Sequence, residues 1–207
     1  PSSYKYPISP KSLQVIAIGT FFGFIIPFIL IFAWFYFDDK IHTRDDLKDL
    51  NLPVYSEIPY DPNYKNSNIS ISSITDGSRN PITESFRMLI ANLYFSKFSK
   101  EKNSNSILIT SSIKGEGKTI VSVYLSKLLS MNRSNKVILI GADLRNPQIH
   151  KFTEFDKSIK GLSDYIYRDD LKLEDLIVKI DELDILFSGT TPPNPTDLLS
   201  SQKCKNL

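Results

Sequence analysis

The sequence predicts an α/β fold, a parallel sheet with helices on both faces, preceded by one transmembrane helix. Three observations carry that reading. Val15 to Phe37 is a run of 23 residues without a charge. Beyond residue 105, short apolar stretches alternate with stretches of helical period. Between the first such stretch and the helix after it stands "SIKGEGKT", Ser112 to Thr119, glycine-rich and ending in Lys-Thr. Strands that alternate with helices imply parallel pairing beneath two helical layers.

Composition bounds the function. The chain has 207 residues, enough for one soluble domain plus attachments. It begins with Pro1, not methionine, so it reads as a fragment or a processed product. Its net charge is +2, from 25 basic and 23 acidic residues. Nucleic-acid binders concentrate a basic excess, so no nucleic-acid partner is expected. Cys204 stands alone, which excludes an intrachain disulfide and a cysteine-rich zinc site. His42 and His150 lie far apart and show no metal-ligand spacing.

The elements follow in order. Residues 1–12 precede the apolar run, and 13–37 are the predicted transmembrane helix. At about 1.5 Å per residue the run spans the roughly 30 Å hydrocarbon layer. A buried core helix would rarely stay apolar on every face for so long. A signal peptide would have a shorter apolar region and a small-residue cleavage site. Trp34-Phe35-Tyr36-Phe37 instead makes an aromatic belt at the membrane–water interface, and Pro27 predicts a kink. Residues 38–80 read as a juxtamembrane segment and linker. Within it, 38–50 is a polar helix candidate with Thr43 as N-cap and Asp46 three residues on. Residues 51–81 are rich in Pro, Asn and Ser, a linker with one or two extended pieces.

Residues 81–207 are the predicted domain. In "TESFRMLIANLYFSKF", Phe86, Leu89, Ile90 and Leu93 share one helical face. "SILIT", residues 106–110, reads as a strand. Val121, Leu125, Leu128 and Leu129 mark a helix that starts at Lys118. "KVILIGADLR" reads as a second strand, ending near Asp143. "LSDYIYR" and "LKLEDLIVKI" read as helices, with Tyr165 and Tyr167 as packing residues. "LDILFSG" reads as a third strand, and "PTDLLSS" opens a last helix.

The chemistry concentrates in the glycine-rich loop. A phosphate cradle needs inward backbone N–H groups, a lysine for the β- and γ-phosphates, and a hydroxyl for Mg²⁺ at a helix start. Ser112 to Thr119 fits the pattern G-x-x-x-x-G-K-[ST] everywhere except its first position, which is Ser. With a strand before and a helix after, this predicts a P-loop NTPase-like domain that binds ATP and Mg²⁺. Lys114, Gly115, Glu116, Gly117, Lys118, Thr119 and Ile120 are the candidate nucleotide-binding residues. Lys118 is also a candidate catalytic residue, and Thr119 a candidate metal ligand. Asp143 lies 24 residues after Thr119, at a strand end where open α/β sheets bind ligands. An acid there can hold Mg²⁺ through water or take a proton from an attacking hydroxyl, or it can cap the following turn. Because ATP is a cytoplasmic ligand, residues 38–207 are expected inside and 1–12 outside. Lys5 and Lys11 against Lys40, Arg44 and Lys48 agree only feebly. A chain that starts outside implies an earlier crossing upstream.

Six stretches, in order, resemble the bacterial tyrosine kinases (BY-kinases) of capsular and exopolysaccharide export. "YPISPKS" is similar to the end of that family's chain-length-determinant domain. "ESFRMLIANLYF" resembles its E-A-F-R-x-L-R-x-N-L helix, "ITSSIKGEGKT" its phosphate loop, and "VILIGADLRNP" its second Walker-type motif. "GLSDYI" and "SGTTPPNPTDLL" resemble its G-L-S and P-P-N-P stretches. The resemblance implies a protein-tyrosine autokinase in the bacterial inner membrane that regulates polysaccharide polymerisation or export. It implies that Lys118 serves the β/γ-phosphates, Thr119 the metal, and Asp143 the metal and the incoming tyrosine. It also implies that Glu84 and Arg87 help assemble a homo-oligomeric ring that phosphorylates in trans. On the residues alone, that pair is an ordinary i,i+3 surface ion pair.

This chain departs from the family pattern at three places. Gly141 stands where the family has the first of two aspartates, and Ile90 where it has a second arginine. The resemblance places a third acidic motif and a tyrosine cluster beyond Leu207, so the fragment alone is expected to bind nucleotide poorly and show little activity. Two other readings stay open. One is a non-catalytic polysaccharide co-polymerase scaffold. The other is a partitioning-type ATPase switch, although its signature lysine would fall at Ile113.

Overall fold

A computed structural model describes residues 12–38, 47, 52–60, 69–75, 80–96 and 104–207. The chain divides into two units, Pro1–Val54 and Tyr55–Leu207. The helix expected over 38–50 and the segment 1–12 lie, apart from Ser12, Asp38 and Leu47, outside the described residues.

In the first unit, α1 runs from Ser12 to Tyr36 and buries none of its residues. Its mean hydropathy reaches 2.6, and it is long and apolar enough to cross a membrane. An apolar surface on every side suits lipid and not water. Pro27 sits inside the helix. The Thr20 hydroxyl donates to the Ile16 carbonyl at 2.9 Å. At the far end Phe32 stacks on Tyr36 with centroids 6.2 Å apart.

The second unit begins earlier than the linker reading allows. Ile71, which opens a 3-10 turn over Ile71–Ser73, is fully buried, and Ile74, which follows the turn, is nearly so. The Asn92 side chain donates to the Tyr55 carbonyl, and the Ser56 hydroxyl donates to the Ser85 carbonyl at 2.8 Å. Apolar residues dispersed among Pro, Asn and Ser thus plug the core without forming a periodic element.

Helix α2 covers Pro81–Ser96. The Asn80 side chain accepts from the Ile82 N–H at 3.0 Å, and Pro81 suits the first helical position. Phe86 is fully buried, and Leu89, Ile90 and Leu93 pack against the same core, as the periodicity predicts. Ile90 therefore faces the protein's own interior. Helix α3 spans Lys118–Ser130 and buries Val123, Leu125 and Leu128, while Tyr124 stacks on Phe86 with centroids 5.1 Å apart.

Strand β1 is Val137–Ile140, α4 is Leu162–Tyr167, β2 is Ile177–Ile180 and β3 is Leu183–Leu186. Helices α5, Pro195–Leu199, and α6, Gln202–Lys205, end the chain. The sheet order is β1-β3-β2, with β1 parallel to β3 and β2 antiparallel to it. Leu183, Ile185 and Phe187 face the core of α2 and α3. Leu186 faces the other way, among Leu144, Leu162, Ile166 and Leu176. Alternation along β3 therefore buries both faces of the sheet, and helices cover both.

Two expected elements differ. "LKLEDLIVKI" is not a helix. Only a 3-10 turn forms over Glu174–Leu176, and Ile177-Val178-Lys179-Ile180 is a strand. Its β-branched residues pair with β3 across a tight turn in which Asp181 takes a positive φ of 54°. "SILIT" is extended but joins no ladder among the described residues. Leu108 is exposed and only Ile109 packs against the core, and an apolar segment becomes a strand only where a neighbour offers its backbone.

Candidate nucleotide site

Chain direction sets the site. Helix α3 returns to β1 through residues 131–136 alone. Its C-terminal end therefore lies at the start of β1, and its N-terminal end, with Lys118 and Thr119, lies at the finish of β1 and of the parallel β3. Gly141, Asp143 and Ser188 all follow those strand ends.

The loop before α3 has the backbone its glycines permit. Gly115 and Gly117 have φ of 98° and 94°, a region that side-chain-bearing residues rarely occupy. A Cβ on Gly115 would meet nothing within 4 Å, and one on Gly117 would lie 3.3 Å from Ile120 Cγ2. The Gly117 carbonyl accepts from the Val121 N–H at 3.0 Å, which starts the helix. The Ser111 hydroxyl donates to the Ile113 carbonyl at 2.9 Å. The Ile113 N–H donates to Glu116 Oε2 at 3.2 Å, so one loop amide already holds a carboxylate oxygen. The Ile113 amide thus meets an anionic oxygen supplied by the loop itself. Lys114 is exposed, whereas Lys118, Thr119 and Ile120 are half-buried at the first turn of α3. A lysine, a hydroxyl and free helix N–H groups thus share one end, the set that phosphate and its magnesium require. Among the described residues no three His, Cys, Asp or Glu side chains cluster as a metal site. Mg²⁺ does not need such a cluster, because it keeps several waters and phosphate oxygens as ligands.

Asp143 is exposed, and its Oδ1 accepts from the Asn146 N–H at 3.0 Å. One carboxylate oxygen caps the turn, and Oδ2 is left for other partners. Glu84 and Arg87 form an ion pair with each other on α2. Ile90, at the family's second arginine position, packs inward.

Gly141 has a packing reason that its place in the motif hid. Register pairs Ile140 with Leu186, and the Gly141 N–H donates to the Leu186 carbonyl at 2.8 Å. The chain after β3 then crosses the end of β1. A Cβ on Gly141 would stand 2.6 Å from Ser188 Oγ, 2.9 Å from the Ser188 nitrogen and 3.2 Å from Ile149 Cδ1. Glycine is therefore not a neutral loss of a carboxylate. Any side chain at 141 would have to displace backbone.

A second constellation escaped sequence reading. Asp164, on α4, accepts from the Gly161 N–H at 2.9 Å and the Thr190 N–H at 3.1 Å through Oδ2, and from the Thr190 hydroxyl at 2.8 Å through Oδ1. The Ser163 hydroxyl donates to the Thr190 carbonyl at 2.6 Å. The two glycines of this clasp allow its close approach. A Cβ on Gly161 would lie 2.1 Å from the Phe187 carbonyl oxygen, and Gly189 has φ of 81°. "GLSD" and "SGT" are thus two halves of one lock that holds the chain leaving β3. Tyr165 packs as expected, with Lys203 Nζ 4.8 Å from its ring centroid. Tyr167 does not: it is 82% exposed, because α4 ends there and turns its last residue outward.

No family model matches the chain. Curated relatives do. A putative tyrosine-protein kinase in the cps region of Klebsiella pneumoniae is 32% identical over 97% of this chain and 29% of its own length. The tyrosine-protein kinase ptk of Acinetobacter johnsonii is 29% identical over 97% of this chain and 28% of its own. The chain spans under a third of these relatives. Among solved structures, the BceF tyrosine kinase domain matches with a TM-score of 0.66 at 25% identity, covering 81% of this chain and 70% of that one. The kinase domain of Escherichia coli tyrosine kinase ETK matches in fold with a TM-score of 0.69 at 24% identity, covering 81% and 68%.

Proposed function

Since the chain belongs to the bacterial tyrosine-kinase (BY-kinase) family, we propose that it supplies the membrane anchor and nucleotide-holding part of a tyrosine autokinase. The autokinase serves polymerisation or export of a capsular or exopolysaccharide from the inner membrane, with residues 38–207 cytoplasmic. One observation carries the nucleotide part of the reading. Two glycines with positive φ present loop amides at the start of α3, beside Lys118, Thr119 and Asp143 at the same strand ends. The span of α1 and the relatives' names support the anchor and the reaction.

The roles follow from charge and position. A bound Mg²⁺ would neutralise phosphate charge and polarise the γ-phosphoryl group. The loop amides from Lys114 to Lys118 would hold phosphate oxygens, and Lys118 would offset the charge that develops between the β- and γ-phosphates. The Thr119 hydroxyl would face the metal. Asp143, with Oδ1 fixed by Asn146, would present Oδ2 to a metal-bound water or to the proton of the attacking tyrosine. Phosphoryl transfer needs mostly positioning and charge neutralisation, which these groups supply. Neighbouring copies would meet through α2, with Glu84 and Arg87 exchanging their mutual pair for partners across the contact.

One observation favours a second reading, the non-catalytic scaffold. Position 141 carries no acid, and half of Asp143 serves a turn. The two readings separate on binding of Mg·ADP to the native full-length protein. The kinase reading expects Lys118→Met to abolish binding and Lys114→Ala to weaken it little. Equal losses would mean the loop register is misread, and no binding by the unsubstituted protein would favour the scaffold.

A further inference from the structure

Ser188 is a buried residue whose hydroxyl makes no hydrogen bond among the described residues. Ser188 is 4% exposed. Its backbone works: the carbonyl accepts from the Ser163 N–H at 2.9 Å. Its side chain makes no hydrogen bond with the described residues. Among the described residues every fully buried side-chain oxygen or nitrogen has a partner, so this hydroxyl keeps a slight contact with solvent.

Position gives the hydroxyl a purpose. It stands 2.6 Å from the Cβ point of Gly141 and so occupies the space a side chain at 141 would enter. Period 2 puts Gly141 on the face of Leu139, the face α3 covers. Ile120 and Val121, in the first turn of α3 just after Lys118 and Thr119, pack against the same core as Leu139. Two residues beyond Gly141 is Asp143. The absence of a side chain at Gly141 thus leaves room for the Ser188 hydroxyl at the end of β1, beside Ile149.

We propose that Ser188 is a ligand-contacting residue of the nucleotide site, its hydroxyl standing in for a side chain at 141. Its partner is an oxygen of the Mg·nucleotide complex, either a phosphate oxygen to which it donates or a metal-bound water from which it accepts. The assignment rests on the nucleotide reading above. It also accounts for the pairing of Gly141 with Ser188: the glycine makes room, and the serine restores the polar group.

The test is calorimetric binding of ADP to the native full-length protein, with Mg²⁺ and with EDTA, for wild type, Ser188→Ala and Lys118→Met. Ser188→Ala leaves a space of one oxygen and should melt within a few degrees of wild type. Its Mg·ADP affinity should fall about tenfold, the loss of one hydrogen bond to a charged group. If the fall persists in EDTA, the partner is a phosphate oxygen. If it disappears in EDTA, the partner is a metal-bound water. Wild-type Mg·ADP affinity in Ser188→Ala, with binding still lost in Lys118→Met, overturns this assignment and leaves the nucleotide reading standing. Absence of ADP binding by wild type overturns both.

Discussion

Lys127 Nζ lies 2.6 Å from Asp181 Oδ2, which ties the end of α3 to the turn before β3. The lysine side chain is only 4% exposed, the aspartate 47%. Because a buried ammonium without a partner is unfavourable, the pair fixes how α3 lies along the sheet, and with it where Lys118 ends up. Asp181→Asn removes the charge yet tolerates the positive φ. Solvent reaches the site, so the loss should be about 1–2 kcal/mol in denaturant unfolding. Lys127→Met should be milder, since an apolar chain of similar volume needs no partner. A larger loss for Lys127→Met would show that the pair itself, not relief of a lone charge, stabilises the fold.

Gly141 should resist every side chain. Gly141→Ala places a Cβ 2.6 Å from Ser188 Oγ and 2.9 Å from its nitrogen, and backbone cannot swing aside as a side-chain end can. Unfolding should show a loss of about 1–3 kcal/mol, the range of overpacked cores. Gly141→Asp, which would restore a second acid to the motif, should be at least as destabilising. A Gly141→Asp protein as stable as wild type would mean the strand ends part easily.

The Asp164 clasp should matter more than its half-exposed carboxylate suggests. Three groups donate to it, and two of them belong to Thr190, in the chain that leaves β3. Asp164→Ala should lower stability by about 2–3 kcal/mol, less than three full charged hydrogen bonds because solvent replaces part of them. Thr190→Val, which loses one donor, should lose about 1 kcal/mol. Equal losses would mean that the Thr190 hydroxyl is the whole clasp.

The parts legible in the sequence were those set by local chemistry. Pattern alone marks α1 by its missing charges, α2 by Phe86, Leu89, Ile90 and Leu93, and the loop by Gly115, Gly117 and Lys118. Partners distant in sequence decide the rest. Ile177 to Ile180 is short and apolar, and only pairing with β3 makes it a strand. Residues 106–110 look like a strand, yet no strand among the described residues offers them a ladder. Ile71 and Ile74 sit in polar sequence and are buried because they pack into the core that α2 and α3 build. At the site, motif spacing gave Lys118, Thr119 and Asp143. It could not give Ser188, which matters only because β3 runs beside β1 and ends over Gly141.

With no charge and no buried residue over its 25 residues, α1 should insert in a membrane. A loop that takes cytoplasmic ATP then requires the segment after α1 to lie inside. A reporter fused after Leu50 in the native full-length protein should be active only as a cytoplasmic fusion. Periplasmic reporter activity at that point would reverse the orientation and remove the loop from its nucleotide.

On the proposed reading, the loop from Lys114 to Thr119 and the acid at Asp143 hold ATP so that its γ-phosphoryl group passes to a tyrosine hydroxyl and ADP leaves. The most direct measurement is the tyrosine autophosphorylation rate of the native full-length protein with Mg·ATP, for wild type, Lys118→Met and Asp143→Asn. Wild type should show a measurable rate and Lys118→Met none. Asp143→Asn should show a fall on the order of 10²-fold, the scale of a lost general base. A wild-type rate in Asp143→Asn would reduce Asp143 to the cap it makes for Asn146, and a wild-type rate in Lys118→Met would contradict the account.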